Sequence, residues 1–385
     1  MAGARMNKRS PKAAYESTHG ALPVKLSPSM FFILLFITAL GVAYLLPPKA
    51  AAKICGPSSY WAVLVSFSLV LPVIFLTRFL QKSFPDQNIL AASKEIFGKY
   101  CGTFLNLLFL AFLMVQAVVI IRDTAELVST YLLDTTPNWA VTGLFLLCTG
   151  FIAYNGLAGI SRLAGFVFIP AVIFRILLQL LAVQGLKVTH LLPLFSASPI
   201  DYLKGGLALT TSFGPLLVGL FFIYPLLSKP QKLKAITLGL MGGQTAFLFL
   251  STIIVIGVFG AANVQTYIWP VFEVDRRIDI PFLVFSQVGL LFLIVWLTMF
   301  LIGFAFYLYL FASSIQQQFQ KLKYVGCLIG ILMVIQAGTM AIPSLYMDMW
   351  ILRIIRQNTI YMIYGYPLLI CAGTLIRRVG KIYGK

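Results

Sequence analysis

Residues 28–48 read PSMFFILLFITALGVAYLLPP. The run is apolar and long enough to cross a bilayer, which takes about 20 residues. It is interrupted near its middle. Thr38-Ala39-Leu40-Gly41-Val42-Ala43 puts Gly41 and small neighbours there, and Pro47-Pro48 reads as the stop. Residues 205–227 carry a matching interruption, Thr210-Thr211-Ser212-Phe213-Gly214-Pro215. Pro215 has no backbone N–H, and its ring opposes a carbonyl one turn back. In hydrocarbon every freed backbone group needs a partner, so breaks persist only where protein, water or ligand supplies one. Two interrupted spans at corresponding places in two halves of a chain point to a transporter-type binding site. A pair of ordinary kinks is the plainer reading.

The rest of the chain fits the first reading. Of 385 residues 60% are hydrophobic and 10% charged, and the mean hydropathy is +0.93. No soluble core absorbs that much apolar surface. The apolar runs are about 20 residues long rather than short and alternating, so the chain is an all-α polytopic membrane protein. The net charge of +18 does not imply nucleic acid, because the basic residues lie in short loops and act as topology signals. The five cysteines are far apart and form no CxxC, so neither a metal site nor a disulfide framework is expected.

About ten spans are expected, near 29–47, 58–80, 102–132, 138–155, 163–184, 205–227, 235–258, 283–313, 324–342 and 359–376. Residues 1–25 form a basic tail, and 26–378 a single transmembrane domain. Most of the 29 Lys and Arg then fall on the side of the N-terminus, which makes both termini cytoplasmic. Ten spans divide into two sets of five, about 26–184 and 205–378. A repeat of odd span number enters upside down the second time, so span 1 corresponds to span 6. These are the two interrupted spans, and the expectation is a 5+5 inverted repeat with its site at the midplane. The loop after span 7, with Glu273, Asp275, Arg276, Arg277 and Asp279, is amphipathic and expected at the interface.

Several stretches together resemble the B-subunit family of endospore germinant receptors, the spore germination permeases. These are Arg122-Asp123-Thr124-Ala125-Glu126-Leu127-Val128 with Tyr131-Leu132-Leu133-Asp134-Thr135-Thr136-Pro137, then Asn155-Gly156-Leu157-Ala158-Gly159-Ile160-Ser161-Arg162-Leu163, then Ile268-Trp269-Pro270 followed by Val295-Trp296. Their order and spacing carry the match across the membrane region. The resemblance implies membership of the amino acid–polyamine–organocation superfamily and a leucine-transporter-type fold. It also implies a small-molecule germinant, often an amino acid, a membrane A subunit and a lipid-anchored C subunit as partners, and the spore inner membrane as location. Where family members often carry a Glu in span 6, this chain has Gly219.

The break in span 6 would expose N–H groups at the start of a half-helix, which suits a carboxylate. Gly41 and Gly214 let a ligand approach the backbone. Thr38, Thr211 and Ser212 add hydroxyls, unless these bond their own helix. Phe213 and Leu216 flank the break and are expected among the ligand-binding residues. The resemblance places Phe112, Gln116, Gly303 and Tyr307 at ligand-lining positions on spans 3 and 8. Gln116 could equally serve an interhelical hydrogen bond, and Tyr307 plain packing. Arg122 and Glu126 stand one helical turn apart and read as a structural ion pair or an outer gate. Arg175, deeper in span 5, could stand in for a coupling cation, snorkel, or contact Glu126.

Two functions share this fold: a sensor that passes a conformational change to partner subunits, and an amino-acid permease driven by protons or sodium. An enzyme is not expected. Only His19 and His190 exist, HExxH is absent, the acidic residues number 11, and no cofactor is implied.

Overall fold

The computed structural model describes residues 25–278, 288–319 and 321–383. The basic tail up to residue 24, Asp279, the start of span 8 and Lys385 lie outside the described residues.

The helices are α1 (Pro28–Val42), α2 (Pro47–Cys55), α3 (Tyr60–Val70), α4 (Pro72–Ser83), α5 (Ile89–Phe97) and α6 (Lys99–Tyr131). They continue as α7 (Asn138–Tyr154), α8 (Gly156–Ala182), α9 (Pro199–Thr210), α10 (Gly214–Ile223), α11 (Leu233–Phe259) and the short α12 (Ala261–Val264). The rest are α13 (Pro270–Arg276), α14 (Val288–Gln318), α15 (Tyr324–Met340), α16 (Leu345–Ile360) and α17 (Tyr366–Tyr383).

Among the described residues seven helical spans are long and apolar enough to cross a bilayer, and the bent pair containing α1 and α2 makes eight. Length and apolarity therefore support seven or eight spans rather than ten. The expected spans 4 and 9 are α7 and α15, apolar helices of 17 residues each. Such a helix rises about 26 Å, a little short of a hydrocarbon core of about 30 Å.

Span 1 is broken, but not where the small residues suggested. Ser27 caps α1, its side chain accepting from Met30 N. The helix then runs through Gly41 to Val42, and the unwound stretch is residues 43–46. Pro47 and Pro48 do not stop the span. They open α2, bent from α1 by 62°, because a proline at the first helical position loses no hydrogen bond. In span 6 a single 3-10 turn, Thr211–Phe213, separates α9 from α10. Every residue of α10 is buried, so this half-span forms the core of the bundle.

The two broken spans are tied at one end. Leu26 N donates to Leu226 O at 2.7 Å, and Ser228 N to Leu26 O at 2.9 Å, an isolated parallel bridge between the chain entering span 1 and the chain leaving span 6. The tenth span also differs from expectation. The stretch 345–358, read as loop, is helical and continues through a π-helical turn, Tyr361–Gly365, into α17. The loop helix α13 is not an exposed amphipathic helix. Pro270 to Asp275 are all buried, so it is packed into the protein.

Candidate ligand cavity

Packing α1 against α14 requires a close backbone approach. A Cβ on Gly41 would stand 2.7 Å from the Met299 carbonyl carbon and oxygen, and one on Gly303 would stand 3.0 Å from the Thr38 Cα. Small residues let membrane helices meet in this way. Gly41 and Gly303 thus make the crossing of spans 1 and 8 and do not line a cavity. Thr38 is fully buried there, its hydroxyl donating to Leu34 O at 2.8 Å.

Beyond this crossing the breaks open onto a cavity of about 540 Å³. Tyr44, Leu45 and Pro47 come from the first break, and Thr211, Ser212 and Pro215 from the second. Gln116 and Asp123 face it from α6, Trp269 from the chain entering α13, Trp296 from α14, and Arg356 and Tyr361 from span 10. The cavity brings Gln116, Thr211 and Ser212 together. It does not include Phe112, Phe213, Gly214, Leu216 or Tyr307. Phe213, Leu216 and Tyr307 are buried in the core, Phe112 packs against a cluster around Val119 and Ile342, and Gly214 faces Ile363 of the π-helical turn. At Gly219 an added Cβ would meet Leu35 and Phe306, so the site has no room for the family's Glu.

The break in span 6 frees backbone groups, and two partners are visible. The Tyr364 hydroxyl donates to Thr210 O at 3.2 Å. Gln244 of α11 donates from Nε2 to Ser212 O at 2.7 Å, as hydrocarbon surroundings demand. Thr211 bonds back to Ala208 O at 2.8 Å. Four polar groups of the wall offer complementary chemistry. Gln116 Oε1 and Trp296 Nε1 have no hydrogen-bond partner, one an acceptor and the other a donor. Asp123 takes one bond, from Trp269 Nε1 at 3.2 Å. Arg356 supplies a cation on the same cavity, and no salt bridge joins it to Asp123 among the described residues.

Asp123, Trp269, Trp296 and Arg356 were not singled out as site residues in the sequence. Asp123, Trp269 and Trp296 sit inside the family-like motifs. Arg356 sits in a stretch read as loop, although Leu352, Ile355 and Thr359 repeat at the helical spacing that buries them.

Two charged clusters flank the cavity. Arg122 Nη1 meets Glu126 Oε2 at 2.5 Å, and Asn138 Nδ2 donates to the same oxygen at 2.5 Å. Arg175 does not contact Glu126. Its Nη1 reaches Asp275 Oδ2 of α13 at 2.6 Å, and its Nε and Nη2 donate to the Tyr44 hydroxyl at 3.1 and 3.0 Å. Gln179 donates to the same hydroxyl at 2.8 Å. Burial pushes the Asp275 carboxyl up from its ordinary range, and the guanidinium beside it pulls the other way. The other edge of α13 is held by Tyr131, whose hydroxyl donates to Glu273.

Broken helices around a mainly apolar cavity with a few polar groups in its wall define a membrane protein with a transporter fold. The chain belongs to the spore germination protein family, whose model matches residues 25–348. It is 25% identical over 351 residues to spore germination protein YndE of Bacillus subtilis (strain 168), covering 91% of this chain and 95% of that protein. Spore germination protein A2 of the same organism is 24% identical over 298 residues, covering 77% and 81%. Several solved structures share the fold. One is a substrate-bound, outward-open Na+-coupled sialic acid symporter, with a TM-score of 0.63 and 11% identity, covering 93% of this chain and 81% of that one. Another is MhsT in complex with L-phenylalanine, with a TM-score of 0.59 and 14% identity, covering 89% and 97%. The fold is that of leucine-transporter-type carriers.

Proposed function

We propose that the cavity binds a small zwitterionic solute of the amino-acid class, and that the chain moves it as an ion- or proton-coupled permease of the amino acid–polyamine–organocation superfamily. One observation carries this reading. A carboxylate, Asp123, and a guanidinium, Arg356, face one cavity without a salt bridge between them. An ammonium suits the first and a carboxylate the second. Gln116 Oε1 and Trp296 Nε1 add an acceptor and a donor. The size fits, since small-molecule sites run from about 300 Å³ upward.

Family membership favours a second reading: the B subunit of a germinant receptor. The same binding event would then be passed to a membrane A subunit and a lipoprotein C subunit in the spore inner membrane, with both termini cytoplasmic.

Purified full-length protein in liposomes, offered each common amino acid in labelled form, separates the two. Uptake supports the permease. Binding seen as thermal stabilisation, without uptake, supports the receptor subunit. Asp123→Asn and Arg356→Gln should each weaken binding at least tenfold, about 1.4 kcal/mol. If neither wild type nor variants respond to any amino acid, the zwitterion reading falls.

A further inference from the structure

Asp348 stands in the first turn of α16, at the end of a span that also carries Arg356 of the cavity wall. Its exposure is 0%, and neither carboxyl oxygen has a hydrogen-bond partner. Buried carboxyls with both oxygens unpartnered are rare, because a buried polar group is almost always satisfied. The positive end of the α16 dipole is near, yet no first-turn amide donates to the side chain. Ser344 takes that role, its hydroxyl accepting from Met347 N at 3.3 Å.

The charged groups that act on Asp348 come from α6: Asp123, Arg122 and Glu126. Arg122 is already engaged by Glu126 at 2.5 Å. Among the described residues that leaves Asp348 with no cation of its own and two acids as neighbours. An ionised carboxylate in such a place is held only at great cost, whereas a neutral acid is not. A metal ion does not answer the need. A hard cation takes six or more oxygens, or about as many with water, and among the described residues no group of three His, Cys, Asp or Glu could hold one.

We propose that Asp348 is a proton-binding site set behind the cavity, coupled through charge to Asp123 on the cavity wall. One proton joins the Asp348 carboxylate to give a neutral acid. Two carboxylates that sense each other resist being ionised together, so a positive group placed against Asp123 eases release of the proton from Asp348. Charge entering the cavity and a proton leaving the bundle are then linked. The site does not depend on the solute's being an amino acid, and its test uses no solute.

The test is thermal unfolding of purified full-length protein in detergent, from about pH 5 to about pH 9. Native protein that holds a proton the unfolded chain has lost becomes less stable as pH rises. Wild type should lose melting temperature across this range and then level off. Asp348→Asn should show a smaller fall than wild type and match it at the acid end. Asp123→Asn should show a shallower fall that ends at lower pH. An equal loss of melting temperature at every pH with Asp348→Asn would mean a structural role only and would overturn the proposal. So would sodium, added at constant pH, stabilising wild type but not Asp348→Asn. Should Asp348→Asn fail to accumulate, the infrared carbonyl band of a protonated acid decides, followed against pH in wild type and in Asp123→Asn protein. A component lost at lower pH in Asp123→Asn than in wild type supports the site, and a band whose pH dependence Asp123→Asn leaves unchanged overturns it.

Discussion

Arg175 on α8 and Asp275 on α13 meet at 2.6 Å, and the same guanidinium donates twice to the Tyr44 hydroxyl. One side chain therefore ties a scaffold span to both the unwound stretch of span 1 and the loop helix beside the cavity. Bound to a carboxylate, Arg175 acts as half of a neutral pair and an anchor for Tyr44.

Arg175→Ala should be strongly destabilising, by about 3–5 kcal/mol, because it strands Asp275 in the interior. The double variant Arg175→Ala with Asp275→Ala should lose less than Arg175→Ala alone. Melting temperatures of the three proteins give the cycle. A double variant worse than the single would show that Asp275 has other partners.

Arg122→Ala should be milder. Glu126 keeps the Asn138 amide at 2.5 Å, so the loss is one charge-assisted bond, about 1.5–3 kcal/mol. Protein level should fall slightly, and the response to a bound solute should survive. Normal stability with a lost response would instead favour an outer gate.

Gly41→Leu should prevent accumulation in the membrane, since its Cβ would meet the Met299 backbone at 2.7 Å and a backbone cannot step aside. Overpacking of a single site costs about 1–3 kcal/mol, occasionally more. Gly143→Leu is the control, because the nearest atom to a Cβ there is a Gln336 side-chain oxygen at 3.9 Å. Western blots of membrane fractions compare the two. Equal levels would show that α1 and α14 can separate.

How far the sequence speaks depends on the kind of signal. Gly, Pro and Thr inside long apolar runs disclose where helices break, because each has a local backbone effect. Thr211 and Ser212 were found that way and do face the cavity, as does Gln116, a polar residue at depth. Gly41 shows the limit. A small residue marks a close approach, but the sequence does not say whether ligand or helix approaches, and here it is the backbone of α14. The break in span 1 falls later because Pro47 starts a helix as readily as it ends one. Span 10 was drawn short because Asp348, Arg353 and Arg356 lower its hydropathy. Arg356 lines the cavity and Asp348 is wholly buried, so two of the three residues that hid the helix belong to its interior face, while Arg353 is exposed.

The bridge between Leu26 and Leu227 has a mechanical meaning. Two main-chain bonds fasten the entry of span 1 to the exit of span 6, so neither span can slide along the other at that face of the membrane. A tilt about this common pivot is the motion that leaves both bonds intact. A hinge there would make the two broken spans a single lever, with the unwound stretch 43–46 of span 1 and the 3-10 turn 211–213 of span 6 as the places where it flexes.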